Sequence, residues 1–175
     1  ILSAGSSFSQ GDRCSTIKPF CAGTTEFVFA NSSRAGGAQT TAEPGINYGC
    51  LESQPYPAWF YLKIDTPGSL NFQIKQTVNS DGSGTSLDVD FIAWGPFSED
   101  QAICNNTALT LENSIACSYS PSAIENFSIS NALAGEIYVV LITNFSEVRG
   151  YISLQQTNTS QANAGTTDCE IVNIL

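Results

Sequence analysis

The sequence predicts an all-β domain, a jelly-roll-like β-sandwich with disulfide-stapled loops, and three observations predict it. Short apolar runs with the period of β-strands alternate with Gly, Pro, Asn and Asp turn signals. Only 13% of the residues are charged, while Ser, Thr and Asn, which suit strand faces and turns, are abundant. Six cysteines are spread along the 175 residues. We expect one sandwich domain over residues 14–169, an N-terminal extension over 1–13, and a C-terminal tail or linker start over 170–175.

The first half of the chain contains three predicted strands. Residues 26–29 alternate over a short run, and residues 58–64 are apolar on both faces. Residues 70–76 alternate apolar and polar side chains, which indicates a strand with one buried and one solvent-exposed face. A strong turn signal, Asp65-Thr66-Pro67-Gly68, separates the last two runs, so we predict that they form a hairpin.

Four more strands are predicted in the second half, over 87–94, 126–129, 136–142 and 151–156. The second and third flank Ala134-Gly135 and resemble another hairpin pair. Residues 97–119 are irregular, hold two cysteines, and leave room for one helical turn within 102–112. About seven short strands separated by turns are typical of a sandwich or jelly roll.

The cysteines indicate an oxidising compartment. They are even in number and dispersed, no CxxC pair occurs, and the chain has no histidine, so zinc patterns have no support. We therefore expect a secreted, extracellular or cell-surface protein with three disulfides. Fifteen connectivities are open, and sequence cannot choose among them. The set we favour is Cys104–Cys117, Cys21–Cys50 and Cys14–Cys169.

Net charge and hydropathy exclude some partners. The formal net charge is −10, so the chain lacks the basic surface that nucleic acid or an anionic membrane requires. An acidic surface attracts Ca²⁺ but also simply keeps a protein in solution. The longest apolar run, residues 137–142, is strand-sized, and we expect no membrane insertion. The start at Ile1 is typical of a mature terminus left after processing, or of an excised piece of a longer protein.

A pair of carboxylates is the most informative chemical signal. Asp88 and Asp90 stand at i and i+2 of a predicted strand and therefore point to the same face. Two like charges side by side favour a bound cation, and Ca²⁺ would use both, with backbone carbonyls, Asn144 or Glu26 as candidate further ligands. The alternative is that both carboxylates accept N–H groups of nearby turns. No EF-hand loop is present.

Enzymatic chemistry lacks its usual residues. Without histidine, the Ser-His-Asp and Cys-His nucleophile arrangements are excluded. Neighbouring carboxylates on one strand suit a glycosidase poorly, because such enzymes place two carboxyl groups across a cleft. No phosphate-binding Gly-rich loop occurs. We expect that the chain is not an enzyme.

Aromatic residues are the other candidate site. Trp59 lies in a strand that is apolar on both faces, and core packing is the favoured interpretation for both Trp59 and Trp94. Tyr48 and Tyr56 lie in Gly- and Pro-rich loops, where contact with a ligand such as a glycan is more plausible. Five N-x-[ST] sequons also occur, and in a chain this rich in Asn, Ser and Thr chance accounts for them equally well. They begin at Asn31, Asn105, Asn126, Asn144 and Asn158.

Several motifs occur in a familiar order. They are Cys14-Ser-Thr-Ile-Lys-Pro-Phe-Cys21, Asn47-Tyr-Gly-Cys50, Pro57-Ala-Trp-Phe-Tyr-Leu62, Asp88-Val-Asp-Phe-Ile-Ala-Trp-Gly-Pro-Phe97, Cys117-Ser-Tyr-Ser120, Gly135-Glu-Ile-Tyr-Val-Val-Leu-Ile-Thr-Asn-Phe-Ser146 and Asp168-Cys169. Together they resemble a module of large secreted cell-surface proteins of Bacteroidetes, of the gliding-motility and type IX secretion kind. The second half is also similar to the bacterial pre-peptidase C-terminal β-sandwich.

The resemblance implies a sandwich that accompanies adhesive or catalytic domains. Asp88 and Asp90 match its Asp-x-Asp position, and some relatives of the pre-peptidase sandwich bind calcium and polymeric substrates. The expected function is that of a non-catalytic extracellular module of a bacterial surface or secreted protein, mediating adhesion, ligand binding, or surface or filament assembly. The alternative is a calcium-stabilised carbohydrate-binding module of a secreted hydrolase. Expected partners are a glycan or surface partner, other domains of a parent protein, or copies of the chain itself.

Overall fold

Two β-sheets make up the computed structural model, which describes residues 11–21, 23, 26–31 and 41–168. The strands are β1 (Lys18–Pro19), β2 (Phe27–Asn31), β3 (Ala58–Ile64), β4 (Gly68–Thr77), β5 (Asp90–Phe97), β6 (Ser114–Ser118), β7 (Ile124–Ala132), β8 (Ile137–Thr143), β9 (Gly150–Gln156) and β10 (Thr167–Asp168). The helical element of the described residues is one 3-10 turn, Cys14–Thr16. The predicted fold class, an all-β sandwich, is confirmed.

The larger sheet has six strands in the order β1-β3-β8-β5-β6, with β10 also pairing with β3. The smaller sheet has four antiparallel strands in the order β2-β9-β4-β7. β1 runs parallel to β3, while β10 runs antiparallel to it. The central strands β3 and β8 are almost entirely buried, which explains why their sequences are apolar on both faces.

Both predicted hairpins are wrong. β3 lies in the larger sheet and β4 in the smaller one, and β7 and β8 are divided in the same way. The turns after β3 and before β8 therefore carry the chain from one sheet to the other. They lie side by side, since the Ile64 N–H donates to the Glu136 carbonyl at 2.9 Å and the Gly135 N–H to the Ile64 carbonyl at 2.8 Å. A turn signal marks where a strand ends but not which sheet the next strand joins.

The inner core lies between the two sheets. Phe72 of β4 stacks on Phe127 of β7 with ring centroids 4.9 Å apart, and Phe91 of β5 reaches the same ring from the other sheet at 5.1 Å. Val89 and Phe91 belong to this core, as the alternation around Asp88 and Asp90 predicts. Burial of such side chains stabilises the fold by about 1.5–3 kcal/mol each.

A second core covers the outer face of the larger sheet. Trp59 and Trp94 stack there with ring centroids 5.9 Å apart, and both are fully buried, which confirms the prediction that they pack in the interior. Residues 11–17, 41–57 and 98–113, here called the loop layer, lie over them. The predicted irregular segment 97–119 thus belongs partly to this layer, contains β6, and forms turns and bends where one helical turn was expected.

The disulfides hold the loop layer in place. Cys14 bonds to Cys104 within the layer, and Cys50 bonds to Cys117 of β6, over sequence separations of 90 and 67 residues. The three pairings favoured from the sequence are therefore wrong, because they joined cysteines close in sequence or at the two termini. Cys21 is also disulfide-bonded, and Cys169 lies outside the described residues.

The predicted domain limits at 1–13 and 170–175 lie largely outside the described residues. Within them, Gly11 accepts the Trp59 N–H at 2.7 Å, so the domain includes at least this residue of the predicted extension. Among the residues described, no helix has the length and apolar character needed to cross a bilayer.

Candidate cation and ligand site

Asp88 and Asp90 stand where β5 begins. The strand starts at Asp90, and Asp88 immediately precedes it. Val89 and Phe91 point into the inner core, whereas Ile92 and Trp94 point into the outer core, so Asp90 lies on the outer face. Asp90 is only 1% exposed, and Asp88 is half-buried. The fold therefore places one carboxylate inside the protein and the other near its surface.

The neighbour of Asp90 across the sheet is Thr143, the last residue of β8. Residues directly opposite each other in an antiparallel pair have side chains on the same face, about 5 Å apart at Cβ. Neither oxygen of Asp90 makes a hydrogen bond, and neither do Oγ1 of Thr143 and Oδ1 of Asp88. Unpaired buried acceptors are uncommon in native proteins and cost about 1–3 kcal/mol each. This group of oxygens is therefore suited to a cation or to a proton.

The electrostatics of the site follow from its burial. Burial, followed by the charges of Asp88 and Glu125, raises the pKa of Asp90 to about 7. The Ser120 backbone has the opposite and smaller effect on this pKa, which it lowers. Burial also raises the pKa of Asp88 and of Glu125 above their ordinary values. Three carboxyl groups thus favour their protonated form more than free carboxyl groups do.

Sequence reasoning missed Glu125, although a signal for it existed. Glu125 is buried and stands on β7 with the same parity as Phe127 and Ile129, both of which face the inner core. Extending the alternation of the predicted strand 126–129 by one residue puts a carboxylate on the buried face. Its charge contributes to the raised pKa of Asp90.

The oxygens fit Ca²⁺ in type but are few in number. Ca²⁺ takes six to eight oxygen ligands, and Asp88 and Asp90 supply unpaired ones. Within residues 11–21, 23, 26–31 and 41–168, no three His, Cys, Asp or Glu side chains form a group suited to a metal ion. To bind Ca²⁺, the two carboxylates would therefore need neutral oxygen ligands as well. The Thr143 hydroxyl is a candidate, because Thr143 lies opposite Asp90 in the sheet.

The two further ligands considered from the sequence have different positions. Asn144 follows Thr143, is fully buried, and has an unpaired Oδ1. Glu26 is exposed and lines a small groove with Val28 and Tyr151 on the outer side of the four-stranded sheet. Asn144 is therefore next in sequence to the residue that faces Asp90, whereas Glu26 lies on the outer side of the other sheet.

Buried amides make the adjoining end of the inner core unusually polar. Asn31 Nδ2 donates to the Tyr56 carbonyl at 3.1 Å, and Asn144 Nδ2 donates to the Val148 carbonyl at 2.8 Å. Because both amino groups are used, the unpaired atoms of Asn31 and Asn144 are Oδ1 acceptors. Gln76, also fully buried, has both amide atoms unpaired. Natural proteins accept such arrangements mainly where function requires them.

The two tyrosines predicted to contact a ligand are both packed. Tyr48 donates a 2.6 Å hydrogen bond to the Glu43 carbonyl, and its ring lies 6.3 Å from both Trp59 and Trp94. Burial, with a smaller effect of the Glu43 carboxylate, raises the pKa of Tyr48. Tyr56 is 6% exposed. Ligand contact by Tyr48 and by Tyr56 stays a prediction.

A different aromatic pair lies where the chain leaves β6 and β8, the two strands that flank β5. The rings of Tyr119 and Phe145 pack edge to face, with centroids 5.2 Å apart and an interplanar angle of 86°. Phe145 is 40% exposed, and Tyr119 is half-buried. Sequence reasoning missed both, because Phe145 follows a strand whose apolar residues otherwise belong to the core.

A cleft of about 370 Å³ also opens beside the Cys14–Cys104 disulfide. Two polar side chains in its lining already serve the loop layer. Glu43 Oε1 accepts the Cys14 N–H at 2.8 Å, and the Asn105 side chain holds its own turn through four hydrogen bonds. The cleft is therefore built chiefly from groups that stabilise the loops.

Comparison with known proteins finds similarity among solved structures. No protein-family model matches the chain, and no curated protein does so. The fold is similar to the pre-peptidase C-terminal domain of collagenase from Bacillus anthracis, with a TM-score of 0.40 and 9% sequence identity. The match covers 81% of this chain and 94% of that one.

Proposed function

We propose that this chain is a non-catalytic extracellular module that binds a partner for adhesion, ligand capture, or surface or filament assembly. The observation that carries the proposal is the loop layer, which two disulfides hold over a second aromatic core. A layer joined covalently at Cys14–Cys104 and Cys50–Cys117 presents its loops in one fixed conformation. Preformed loops on a rigid β scaffold are a common arrangement in binding proteins.

The disulfides also support an extracellular location. Structural disulfides persist in oxidising compartments and are rare in reducing ones. Five of the six cysteines are described as disulfide-bonded, and the described residues include no free cysteine. The resemblance to secreted surface proteins of Bacteroidetes suggests that the module acts beside other domains of a parent protein or beside copies of itself.

A calcium-stabilised carbohydrate-binding module of a secreted hydrolase is the second candidate function. It is favoured by the unpaired oxygens of Asp88 and Asp90, which suit Ca²⁺, and by the exposed aromatic pair Tyr119 and Phe145. Bound Ca²⁺ would neutralise the two carboxylates and stabilise the start of β5. Because Asp88 and Asp90 are held on the outer face of the larger sheet, they would fix the position of the ion.

The test is binding of the purified chain to extracellular polymers. We expect retention by one or a few immobilised polysaccharides or matrix proteins in affinity electrophoresis, and loss of that retention after reduction and alkylation of the disulfides. Sedimentation of the chain alone tests filament assembly, which predicts concentration-dependent association. A monomer that is retained by no polymer, and that instead turns over a glycan or peptide, would overturn the proposal.

A further inference from the structure

The segment that contains Phe145 is hydrogen-bonded to the backbone of Asp88, and the Phe145 ring packs against Tyr119. We infer that Tyr119, Phe145 and Ser53 form a contact site for a neutral sugar. The inference rests on the proposed function, since it names the ligand class of a binding module. It is distinct from the sequence-based expectation for Tyr48 and Tyr56, which pack against the protein interior.

Hydrogen bonds on both sides of Phe145 hold its backbone. The Asn144 N–H donates to the Pro55 carbonyl at 3.1 Å. On the other side, the Asp88 N–H donates to Ser146 Oγ at 2.7 Å, and the Ser146 N–H donates to the Asp88 carbonyl at 3.4 Å. These bonds place Phe145 next to Asp88 and restrict its movement. The fold therefore orders the Phe145 segment before a ligand binds, so binding loses less conformational entropy.

The rings supply the apolar part of the site. With 40% of Phe145 exposed and Tyr119 packed edge-on against it, one ring presents surface while the other fixes its orientation. Sugars carry C–H groups on one face of the ring and hydroxyl groups around its edge. A partly exposed aromatic ring matches the C–H face, and its rigid two-angle side chain loses little entropy on contact.

Polar groups that suit hydroxyls surround the rings. Tyr119 Oη lies 3.3 Å from Ser53 Oγ, and each of these hydroxyls can donate or accept. Vicinal hydroxyls of a sugar can exchange hydrogen bonds with these two protein hydroxyls. A few placed polar groups beside an apolar surface are typical of small-ligand sites.

Charge decides which sugars fit. Asp88 and Glu125 each raise the pKa of Asp90 through their charge, so three carboxyl groups lie close together in this part of the protein. The chain has 16 acidic and 6 basic residues, which adds to the negative field. Uronic acids and sulfated or phosphorylated glycans would be repelled at this surface. A neutral glycan meets no such penalty.

The experiment is an NMR titration of the full chain with neutral disaccharides, namely maltose, cellobiose and lactose, at up to about 20 mM. We expect saturable shifts of the backbone signals around Tyr119 and Phe145 with at least one of them. Phe145→Ala should weaken the affinity about tenfold or more, and Tyr119→Phe, which keeps the ring, by a smaller factor. Leu133→Ala, which removes another exposed apolar side chain at the turn before β8, is the matched control and should leave the affinity unchanged.

Three outcomes would overturn the sugar site. Saturable shifts confined to another surface would move the ligand elsewhere but leave the proposed function intact. Shifts at Tyr119 and Phe145 with an oligolysine peptide, and with no disaccharide, would assign the pair to a cationic partner. If a polymer is still retained by Phe145→Ala and no disaccharide causes shifts, the module binds that polymer at another surface and the aromatic pair is not a sugar site. If no polymer is retained at all, the proposed function fails together with this site.

Discussion

Asp90 of β5 faces Thr143 of β8 across the larger sheet, and no side-chain oxygen of the two makes a hydrogen bond although both residues are buried. A charged carboxylate in this position loses its water and gains no donor in return. The protein can reduce this cost in two ways, by holding a proton on Asp90 or by holding a cation beside it. The first two predictions separate these routes.

The first prediction concerns the pH dependence of stability without metal. The pKa of Asp90 is about 7 in the folded protein and near its ordinary value of 3.8 in the unfolded chain. The folded state thus binds the proton more tightly, so its stabilising contribution is fully present below the unfolded pKa and is lost as pH rises through about 7. We expect the free energy of unfolding, in chelator, to fall by about 2 kcal/mol between pH 5 and pH 8. Urea titrations at several pH values measure it.

The control for this prediction separates Asp90 from the general charge of the chain. Asp90→Asn should flatten the pH profile over that interval, because the amide does not titrate. Asp81→Asn alters an exposed carboxyl whose pKa is lowered by the Ser83 hydroxyl, and should leave the fall between pH 5 and pH 8 in place. An unchanged slope in Asp90→Asn would contradict the assignment.

The second prediction concerns Ca²⁺. At pH 8, where Asp90 is mostly ionised, Ca²⁺ at one hundred times its Kd should stabilise the fold by about 2.7 kcal/mol, or roughly 5–10 °C in Tm. The gain should shrink at pH 5, because protons compete for the same oxygens. Calorimetry with Ca²⁺ and with EGTA measures the effect. Equal Tm values in the two buffers, or an equal gain in the Asp88→Asn, Asp90→Asn double variant, would remove calcium from this site.

The third prediction concerns the disulfides. Non-reducing peptide mapping should recover Cys14 linked to Cys104 and Cys50 linked to Cys117. Removing the second bond by Cys50→Ser with Cys117→Ser should cost about 2–5 kcal/mol, since it closes a loop of 67 residues and ties the loop layer to β6. Denaturant unfolding gives the value. A Cys104–Cys117 peptide in the map would contradict this topology of the layer.

The fourth prediction concerns the sequons. Nδ2, the atom to which an N-glycan attaches, donates to a backbone carbonyl in four of the five asparagines: Asn31, Asn105, Asn144 and Asn158. Asn126 is instead exposed on β7, with its Oδ1 accepting from Gln73. Expressed through a eukaryotic secretory pathway, the folded protein should carry a glycan at Asn126 and not at the other four.

Mass spectrometry with and without glycosidase tests the fourth prediction. Asn126→Gln should remove the glycan with no effect on Tm. Asn144→Ala should destabilise the fold by at least about 1 kcal/mol, because it leaves the Val148 carbonyl without its donor. A fully occupied glycan on Asn144 in protein of native Tm would show that the segment adopts another conformation.

The strands were accessible from the sequence because their signal is local. Residues 58–64 and β3 coincide, and 151–156 differs from β9 by one residue. Side-chain alternation depends only on neighbours two residues apart, so it survives without knowledge of the partner strand. The two hairpins failed because pairing is not local. β3 pairs with β8, whose residues lie about 80 positions away, and that choice depends on which faces bury together.

The same difference between local and long-range information applies to the candidate site. Asp88 and Asp90 could be selected from the sequence, since their shared face follows from their spacing. Glu125 arrives from β7 and Thr143 from β8, and Tyr119 meets Phe145 only because β6 and β8 flank β5 in one sheet. No spacing in the chain predicts these neighbours.

The sequence by itself determined the all-β class, the approximate positions of most of the longer strands, the use of cysteine as a structural element and the carboxylate pair. These depend on composition and on periods of a few residues. The tertiary structure alone decided the sheet order, the disulfide partners, the loop layer over Trp59 and Trp94, and the aromatic pair Tyr119 and Phe145. The physical reason is that burial is shared between distant segments, so the residue that covers a side chain is set by the packing of whole sheets.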